Sequence, residues 1–151
     1  PWVVMRTFSK AYGLAGARLG YALCGSDEVA DAIRKVKLHF GATATAQAAA
    51  LAALEDDAYL DKVVAAVALE RERLSDGLKR LGLRVFPSAA NFVSAVMPMP
   101  AVRVMEELRR RRILIRDWRD PEHLQEIRIT VGLPDDTDAV IVALSDILAA
   151  A

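Results

Sequence analysis

The sequence predicts an α/β protein, and three observations support this class. Short apolar runs rich in β-branched residues, such as residues 2–8 and 91–97, are typical of buried strands. Segments with helical periodicity separate these runs, and the longest covers residues 59–81. The sequence contains no internal repeat, so a repeat architecture is not indicated. Because strands and helices intermix along all 151 residues, we expect an α/β fold with a small α+β domain at its carboxyl end.

The first elements along the chain are two strands and two helices. The strands are predicted over residues 2–8 and 18–24, with a glycine-rich turn between them. Ser26 is a typical helix-capping residue, and Asp27 and Glu28 add acidic groups to the first turn of the helix that follows, which is predicted to reach about residue 38. The alanine-rich residues 45–54 predict the second helix.

From residue 59 the pattern becomes one long helix followed by a small mixed domain. The long helix is predicted to end at Gly82, because glycine is common directly after a helix. Strands are then predicted over residues 83–86, 91–97, 113–116 and 126–131, and helices over 101–112 and from Pro134 to about residue 148. We therefore divide the chain into residues 1–58, a linking helix over 59–82, and a small α+β domain over 83–151.

Composition argues against several kinds of function. The 20 basic and 20 acidic residues cancel, so net charge gives no reason to expect nucleic acid as a partner. Cys24 is the only cysteine, which excludes an internal disulfide, and the two histidines lack metal-ligand spacing, so no metal is expected. No apolar run is long enough to cross a bilayer and no signal-peptide pattern is present, so we expect a soluble, cytoplasmic protein without a membrane partner.

The most informative segment is the glycine-rich turn around Lys10. Two hydroxyl residues, Thr7 and Ser9, come just before this lysine, and Arg18 follows after a run of small residues and glycines. A lysine can form a Schiff base with an aldehyde, hydroxyls and a guanidinium can bind a phosphate, and glycines let the backbone approach it. This combination is suited to a phosphorylated aldehyde. A solvated lysine at a strand end would not explain the clustering.

Two other motif interpretations of this segment are weaker. Thr7 and Lys10 fit a loose form of the Ser-x-x-Lys nucleophile motif, but the Ser-Asp-Asn and Lys-Thr-Gly elements that accompany it do not occur. The spacing of Gly13, Gly16 and Gly20 partly matches glycine-rich dinucleotide loops, but the initial Gly-x-Gly is absent.

Residues 7–21, Thr-Phe-Ser-Lys-Ala-Tyr-Gly-Leu-Ala-Gly-Ala-Arg-Leu-Gly-Tyr, closely resemble the lysine segment of class II, fold-type I aminotransferases that use pyridoxal phosphate. Histidinol-phosphate aminotransferases are the nearest members. The resemblance implies that Lys10 holds the cofactor as a Schiff base, that Thr7 and Ser9 lie at its phosphate, and that Arg18 neutralises this phosphate. It also implies that residues 1–58 end the family's large cofactor domain.

The resemblance covers essentially the whole chain but only the second half of the family's chain. The sequence starts at Pro1, without methionine and inside a predicted strand, so we expect a carboxyl-terminal portion of a longer enzyme. Family residues that contact the cofactor ring come from the first half and have no counterpart here. The 151-residue segment is therefore expected to be inactive alone, and a non-catalytic module is the alternative of another class.

Two arginines in the small domain are candidates for substrate binding. Arg128 lies in a strand between Ile127 and Ile129, which point to the opposite face, and an arginine in such a strand needs an anionic partner. The run Ile-Arg-Ile-Thr-Val-Gly resembles the family motif whose arginine binds the substrate carboxylate or phosphate. Arg116 resembles a second family arginine at the substrate phosphate. For both, a structural ion pair is the alternative. Trp118 is expected either at the substrate entrance or in simple packing.

The activity implied by the resemblance is amino transfer between histidinol phosphate and 2-oxoglutarate, with glutamate as the amino donor. Lys10 would move a proton between the substrate α-carbon and the cofactor. An aromatic amino acid is the nearest alternative substrate, and a related phospho-amino-acid decarboxylase is the third possibility. Residues 39–47 lack the Pro-Tyr/Phe-Asn pattern common in histidinol-phosphate enzymes, which leaves substrate identity open. A homodimer is implied by the resemblance only.

Overall fold

The computed structural model describes residues 1–118 and 120–150. The chain forms two compact units, Pro1–Val64 and Ala65–Ala151. The boundary between them falls inside the long helix α3 (Asp57–Arg80), so this helix contributes residues to both units. The expected mixture of helices and strands is confirmed.

The first unit is built on an antiparallel hairpin. Strands β1 (Val3–Thr7) and β2 (Gly20–Cys24) pair from Val3 opposite Cys24 to Thr7 opposite Gly20. A short 3-10 helix (Ala15–Ala17) lies in the connecting loop, and helices α1 (Asp27–Val36) and α2 (Ala44–Leu54) follow. The prediction that Ser26 caps α1 is confirmed, because its hydroxyl accepts a hydrogen bond from the Val29 amide. Helix α1 ends two residues before the predicted boundary, since Lys37 adopts an extended conformation.

The second unit is a four-stranded antiparallel sheet covered by helices on one face. Its strands are β3 (Arg84–Val85), β4 (Phe92–Val96), β5 (Arg116–Asp117) and β6 (Glu126–Thr130), in the spatial order β3-β4-β6-β5. Inward-facing residues of β4 and β6 pack with α3, α4 (Ala101–Arg110) and α5 (Pro134–Ala149). The largest fully buried members of this core are Leu74, Leu78, Met97, Leu108, Ile127, Leu144, Val93 and Val104.

Two helices of this unit end in the same hydrogen-bonded turn but with different residues. After α3, Gly82 has φ +79°, its amide binds the Lys79 carbonyl, and the Leu83 amide reaches back to Leu78. After α4, Arg112 has φ +63° in the corresponding position. The Gly82 prediction is confirmed. The Arg112 turn shows that the predicted strand over residues 113–116 is wrong, because the Ile113 amide still closes helix α4 on the Leu108 carbonyl and the strand begins only at Arg116.

Over residues 1–118 and 120–150, the structure contains no helix that is both long enough and apolar enough to cross a membrane.

Candidate functional site

The hairpin loop presents Lys10 at a fixed point beside the end of β1. Phe8 fixes this point, because its amide donates to the Leu19 carbonyl and its carbonyl accepts from the Leu14 amide. The Phe8 ring is 3% exposed and packs at 5.0 Å from the ring of Tyr12 and 5.6 Å from that of Tyr21. Lys10, two residues later, is exposed and forms no ion pair with any residue that the structure describes. Its amine is therefore accessible to a ligand.

The two hydroxyls that precede Lys10 form one hydrogen-bonded pair. The Thr7 hydroxyl lies 3.0 Å from the Ser9 hydroxyl and accepts a hydrogen bond from the Ser9 amide at 3.1 Å. This arrangement is a small turn in which side-chain oxygens satisfy local backbone donors. It places two hydroxyls and a backbone amide directly beside the residue that carries the amine.

Arg18 lies at the other end of the same loop. Backbone pairing of Phe8 with Leu19 brings this end of the loop next to the Thr7–Lys10 end. Arg18 has φ +52°, a left-handed conformation that is uncommon for a residue with a long side chain. Its guanidinium donates to the Ala15 carbonyl at 2.9 Å, and no described carboxylate forms an ion pair with it. The full positive charge of Arg18 thus remains available to an anion.

Two glycines are required by this loop geometry. Gly20 faces the partner strand so closely that a Cβ atom would lie 2.6 Å from the Arg6 carbonyl oxygen. Gly13 has φ +68°, and a Cβ atom there would lie 3.1 Å from the Tyr59 hydroxyl. Both glycines therefore keep the loop compact.

In the second unit the two candidate arginines are direct neighbours. Strands β5 and β6 pair with Arg116 opposite Arg128, and on the other side of β6 Ser94 of β4 also lies opposite Arg128. The predicted alternation of β6 is confirmed, because Ile127 and Ile129 are buried in the core while Arg128 points to the other face. Two guanidinium groups on adjacent strands of one sheet face can attract an anion, and a dianion would suit them best.

The guanidinium of Arg128 contacts two aromatic rings. Its central carbon lies 5.0 Å from the ring centre of Phe92 and 5.4 Å from that of Trp118. The two rings meet edge to face, with centroids 6.3 Å apart and an interplanar angle of 71°. Sequence reasoning missed this role of Phe92, and it left Trp118 between packing and the substrate entrance.

Neither arginine has a carboxylate partner among the residues that the structure describes. Within residues 1–118 and 120–150, no carboxylate lies in ion-pair distance of Arg116 or Arg128. This differs from the structural arginines of the same unit, since Arg73 pairs with Glu70 at 2.7 Å and Arg111 with Asp146 at 2.8 Å. The described residues also contain no cluster of acidic, histidine and cysteine side chains that could hold a metal ion.

Near this site, the segment between β5 and β6 carries a charged cluster. The His123 ring nitrogen lies 2.9 Å from the Glu126 carboxylate, and Asp120 lies at 4.0 Å. The hydrogen bond with Glu126 raises the pKa of His123, and the negative charges of Asp120 and Glu122 act in the same direction. His123, Asp120 and Glu122 are exposed and Glu126 is half-buried, and we assign these groups no part in the site.

Comparison with known proteins identifies the family. The family model described as aminotransferase class I and II matches residues 1–144, and the chain belongs to this family. A histidinol-phosphate aminotransferase from Rhizobium meliloti is 38% identical over 146 residues, which are 97% of this chain and 40% of the relative. The chain thus spans about 40% of the length of the curated relatives that it matches.

Solved structures agree with this family at the level of the fold. The histidinol-phosphate aminotransferase of Sinorhizobium meliloti, determined in complex with pyridoxal-5'-phosphate, aligns with a TM-score of 0.87 and 36% identity over 98% of this chain and 41% of that chain. The L-threonine-O-3-phosphate decarboxylase of Porphyromonas gingivalis aligns with a TM-score of 0.82 and 25% identity over 97% of this chain and 46% of that chain.

Proposed function

We propose that the enzyme containing this chain is a pyridoxal-phosphate-dependent aminotransferase that acts on histidinol phosphate with 2-oxoglutarate and glutamate as its second substrate pair. The observation that carries the proposal is the Lys10 loop, in which an accessible amine, two hydroxyls and an unneutralised guanidinium are held on one hairpin. The activity belongs to the complete enzyme and not to residues 1–151 in isolation. We also propose that it acts in the cytoplasm as a homodimer.

The residues of the loop fit pyridoxal phosphate. A phosphate dianion needs hydroxyl or amide donors and a cation, and Thr7, Ser9 and Arg18 supply these without a described carboxylate that would compete. An aldehyde needs an accessible amine, which Lys10 supplies. When bound, the cofactor provides an electron sink that stabilises negative charge at the substrate α-carbon.

Within this site Lys10 acts as both attachment point and proton carrier. Its Nζ atom would hold the aldehyde carbon of the cofactor. The Lys10 amine would accept the proton from the substrate α-carbon as a general base and donate it to the cofactor as a general acid in the same half-reaction. Phe8 supports this role, because its buried ring and its two backbone hydrogen bonds hold the loop that carries Lys10.

The arginine pair binds and orients the substrate through its anionic group. Arg128 holds the α-carboxylate of glutamate or the phosphate of histidinol phosphate, and Arg116 adds the second cation that a phosphate dianion uses more fully than a carboxylate does. The support is the cross-strand pairing of the two residues and the absence of a described carboxylate partner.

Two other activities remain to be separated from this one by experiment. A decarboxylase of a phospho-amino acid is favoured as the second candidate, because a structure of that class aligns closely and the arginine pair could hold its phosphate. An aromatic amino acid is the alternative substrate for amino transfer.

The cofactor assignment is tested by reduction of the complete enzyme. The purified enzyme should be yellow, and borohydride should fix pyridoxal phosphate on a peptide that contains Lys10. Digestion and mass spectrometry identify the labelled lysine. Labelling of another lysine, with Lys10 unmodified, would show that Lys10 does not bind the cofactor covalently.

The substrate assignment is tested through Arg116. We expect Arg116→Ala to reduce kcat/KM for histidinol phosphate more than kcat/KM for an aromatic amino acid, while Arg128→Ala reduces both half-reactions. If the wild-type enzyme already prefers the aromatic substrate, and if Arg116→Ala leaves the ratio of the two kcat/KM values unchanged, the proposed substrate becomes the aromatic amino acid instead of histidinol phosphate. Release of carbon dioxide from a phospho-amino acid would instead establish the decarboxylase.

A further inference from the structure

We propose that Trp118 is a positioning residue for Arg128: together with Phe92 it holds the guanidinium in place without neutralising it. The proposal rests on the proposed function of Arg128 as the substrate-anion residue. It assigns a role to a side chain that the resemblance to the family leaves unassigned.

The positions of the two rings show how the guanidinium is held. The ring centroids lie 6.3 Å apart, which is much less than the sum of the two distances from the Arg128 guanidinium to the rings. The guanidinium is therefore not sandwiched between the rings. Both rings lie on the same side of it and meet at an angle. The sheet order places β6 between β4 and β5. Phe92 therefore approaches Arg128 from β4, and Trp118 approaches it from the position directly after β5.

An aromatic partner leaves an arginine able to bind an external anion. A carboxylate would occupy one edge of the guanidinium with two hydrogen bonds and would cancel its charge. The face of a ring attracts the cation but takes up few of its five N–H donors. In the same unit, Arg73 and Arg111 each form an ion pair with a carboxylate, whereas the guanidinium of Arg128 contacts two aromatic rings.

Trp118 lies outside the packed core of this unit. Its side chain is 42% exposed, and the buried core of the unit does not include it. An arginine side chain loses substantial rotamer freedom when it binds in one geometry. Contact with two rings restricts Arg128 before the substrate arrives, so Trp118 should matter for binding affinity much more than for folding.

The chain supplies a matched control in a second aromatic contact. The Arg84 guanidinium lies 5.1 Å from the ring centre of Phe86, at the far edge of the same sheet, and neither residue belongs to the candidate site. Phe86→Leu thus removes a ring from an arginine in the same unit without touching Arg128. Any general effect of losing an aromatic residue from this sheet should appear in that variant.

The test compares Trp118→Leu, Trp118→Phe and Phe86→Leu in the complete holoenzyme. Four quantities are measured: KM and kcat for glutamate and for histidinol phosphate, the dissociation constant of succinate as a non-reacting carboxylate, and Tm. We expect Trp118→Leu to raise both KM values and the succinate dissociation constant by about three- to tenfold, with kcat changed by less than about twofold. Trp118→Phe should restore most of the affinity because it restores a ring, and Phe86→Leu should leave KM, kcat and the succinate dissociation constant unchanged.

Several outcomes would overturn the proposal. Unchanged affinities in Trp118→Leu would show that Arg128 does not depend on this ring. A loss confined to one substrate would mean that Trp118 contacts that substrate directly, and equal losses of kcat and Tm without rescue by phenylalanine would indicate a structural role. Failure of the proposed function is a different result, because the wild-type enzyme would then lack aminotransferase activity or Arg128→Ala would leave succinate binding unchanged.

Discussion

The two units of the molecule hold their candidate residues by different physical means. In the unit of residues 1–64, Phe8 and two alanines of α2 are the only apolar side chains that are fully buried, and Trp2, Met5 and Leu23 on the hairpin are more than half exposed. In the unit of residues 65–151, fifteen described apolar residues form one buried cluster. Lys10 is therefore placed by a few backbone hydrogen bonds that close a loop, whereas Arg128 is placed by the register of a sheet above a packed core.

Because of this difference, we expect substitutions at Lys10 and substitutions in the core of the second unit to affect catalytic activity and folding stability to different extents. Replacing Lys10, which is exposed and forms no described ion pair, should change the reaction much more than it changes folding. A residue of the second core should show the reverse pattern. The following variants test this separation in the complete enzyme.

The largest effect is expected from Lys10→Ala. Because the attachment point and the proton carrier are lost together, turnover should fall by more than about 10³-fold, while Tm of the cofactor-free enzyme should not change. Steady-state kinetics and thermal unfolding measure the two quantities. Lys35→Ala, an exposed lysine of α1 in the same unit, is the control and should keep full turnover. Comparable turnover in both variants would contradict the assignment of Lys10.

The opposite pattern is expected from Leu144→Ala. This side chain of α5 is completely buried, so its truncation should lower the free energy of unfolding by about 2–5 kcal/mol and leave cofactor affinity in the folded enzyme unchanged. Val142→Ala on the same helix, where the side chain is 61% exposed, should cost less than about 0.5 kcal/mol. Denaturant unfolding compares the variants, and equal losses would show that the buried cluster does not stabilise this unit.

Arg18→Ala should produce an intermediate effect that is confined to cofactor binding. A charge-assisted contact with phosphate is worth about 1.5–3 kcal/mol, so the dissociation constant of pyridoxal phosphate should rise about ten- to a hundredfold. Spectroscopic titration of the cofactor-free enzyme measures it. Arg34→Ala, which removes an exposed arginine paired with Asp31, is the control. An Arg18 variant with wild-type cofactor affinity would place Arg18 in a structural role.

The smallest effect compares the two helix ends of the second unit. Both turns require a positive φ, so Gly82→Ala should destabilise the enzyme by about 1 kcal/mol, while Arg112→Gly should stabilise it by up to about 1 kcal/mol. Denaturant unfolding at constant cofactor concentration gives both values. A change of the same sign in both variants would show that backbone conformation is not what distinguishes these turns.

The features that the sequence predicts well have short-range causes. Ser26 and Gly82 mark helix ends through their own chemistry, and the isoleucines on either side of Arg128 mark the face that it occupies. The turn at Arg112 gave no such signal, since no glycine marks it, and the predicted strand was placed too early for this reason.

The features that the sequence does not predict depend on distant pairing. Phe92 and Trp118 are separated by 26 positions, and they meet at Arg128 only because β4 and β5 both pair with β6. The same limit applies to the Phe8 ring cluster, whose partner Tyr21 comes from the opposite strand. The roles of Lys10, Thr7, Ser9, Arg18, Arg116 and Arg128 remain predictions that the experiments above address.

The alternation of Ile127, Arg128 and Ile129 also bears on misfolding. Side chains of a strand change faces at every residue, so a slip of β6 by one position would bury the guanidinium among the core residues and expose both isoleucines. Burying an unpaired charge costs several kcal/mol, far more than a lost hydrogen bond. The residue proposed to recognise the substrate therefore also disfavours the wrong strand pairing, and replacing Arg128 by an apolar residue would remove both the substrate contact and this protection against a shifted register.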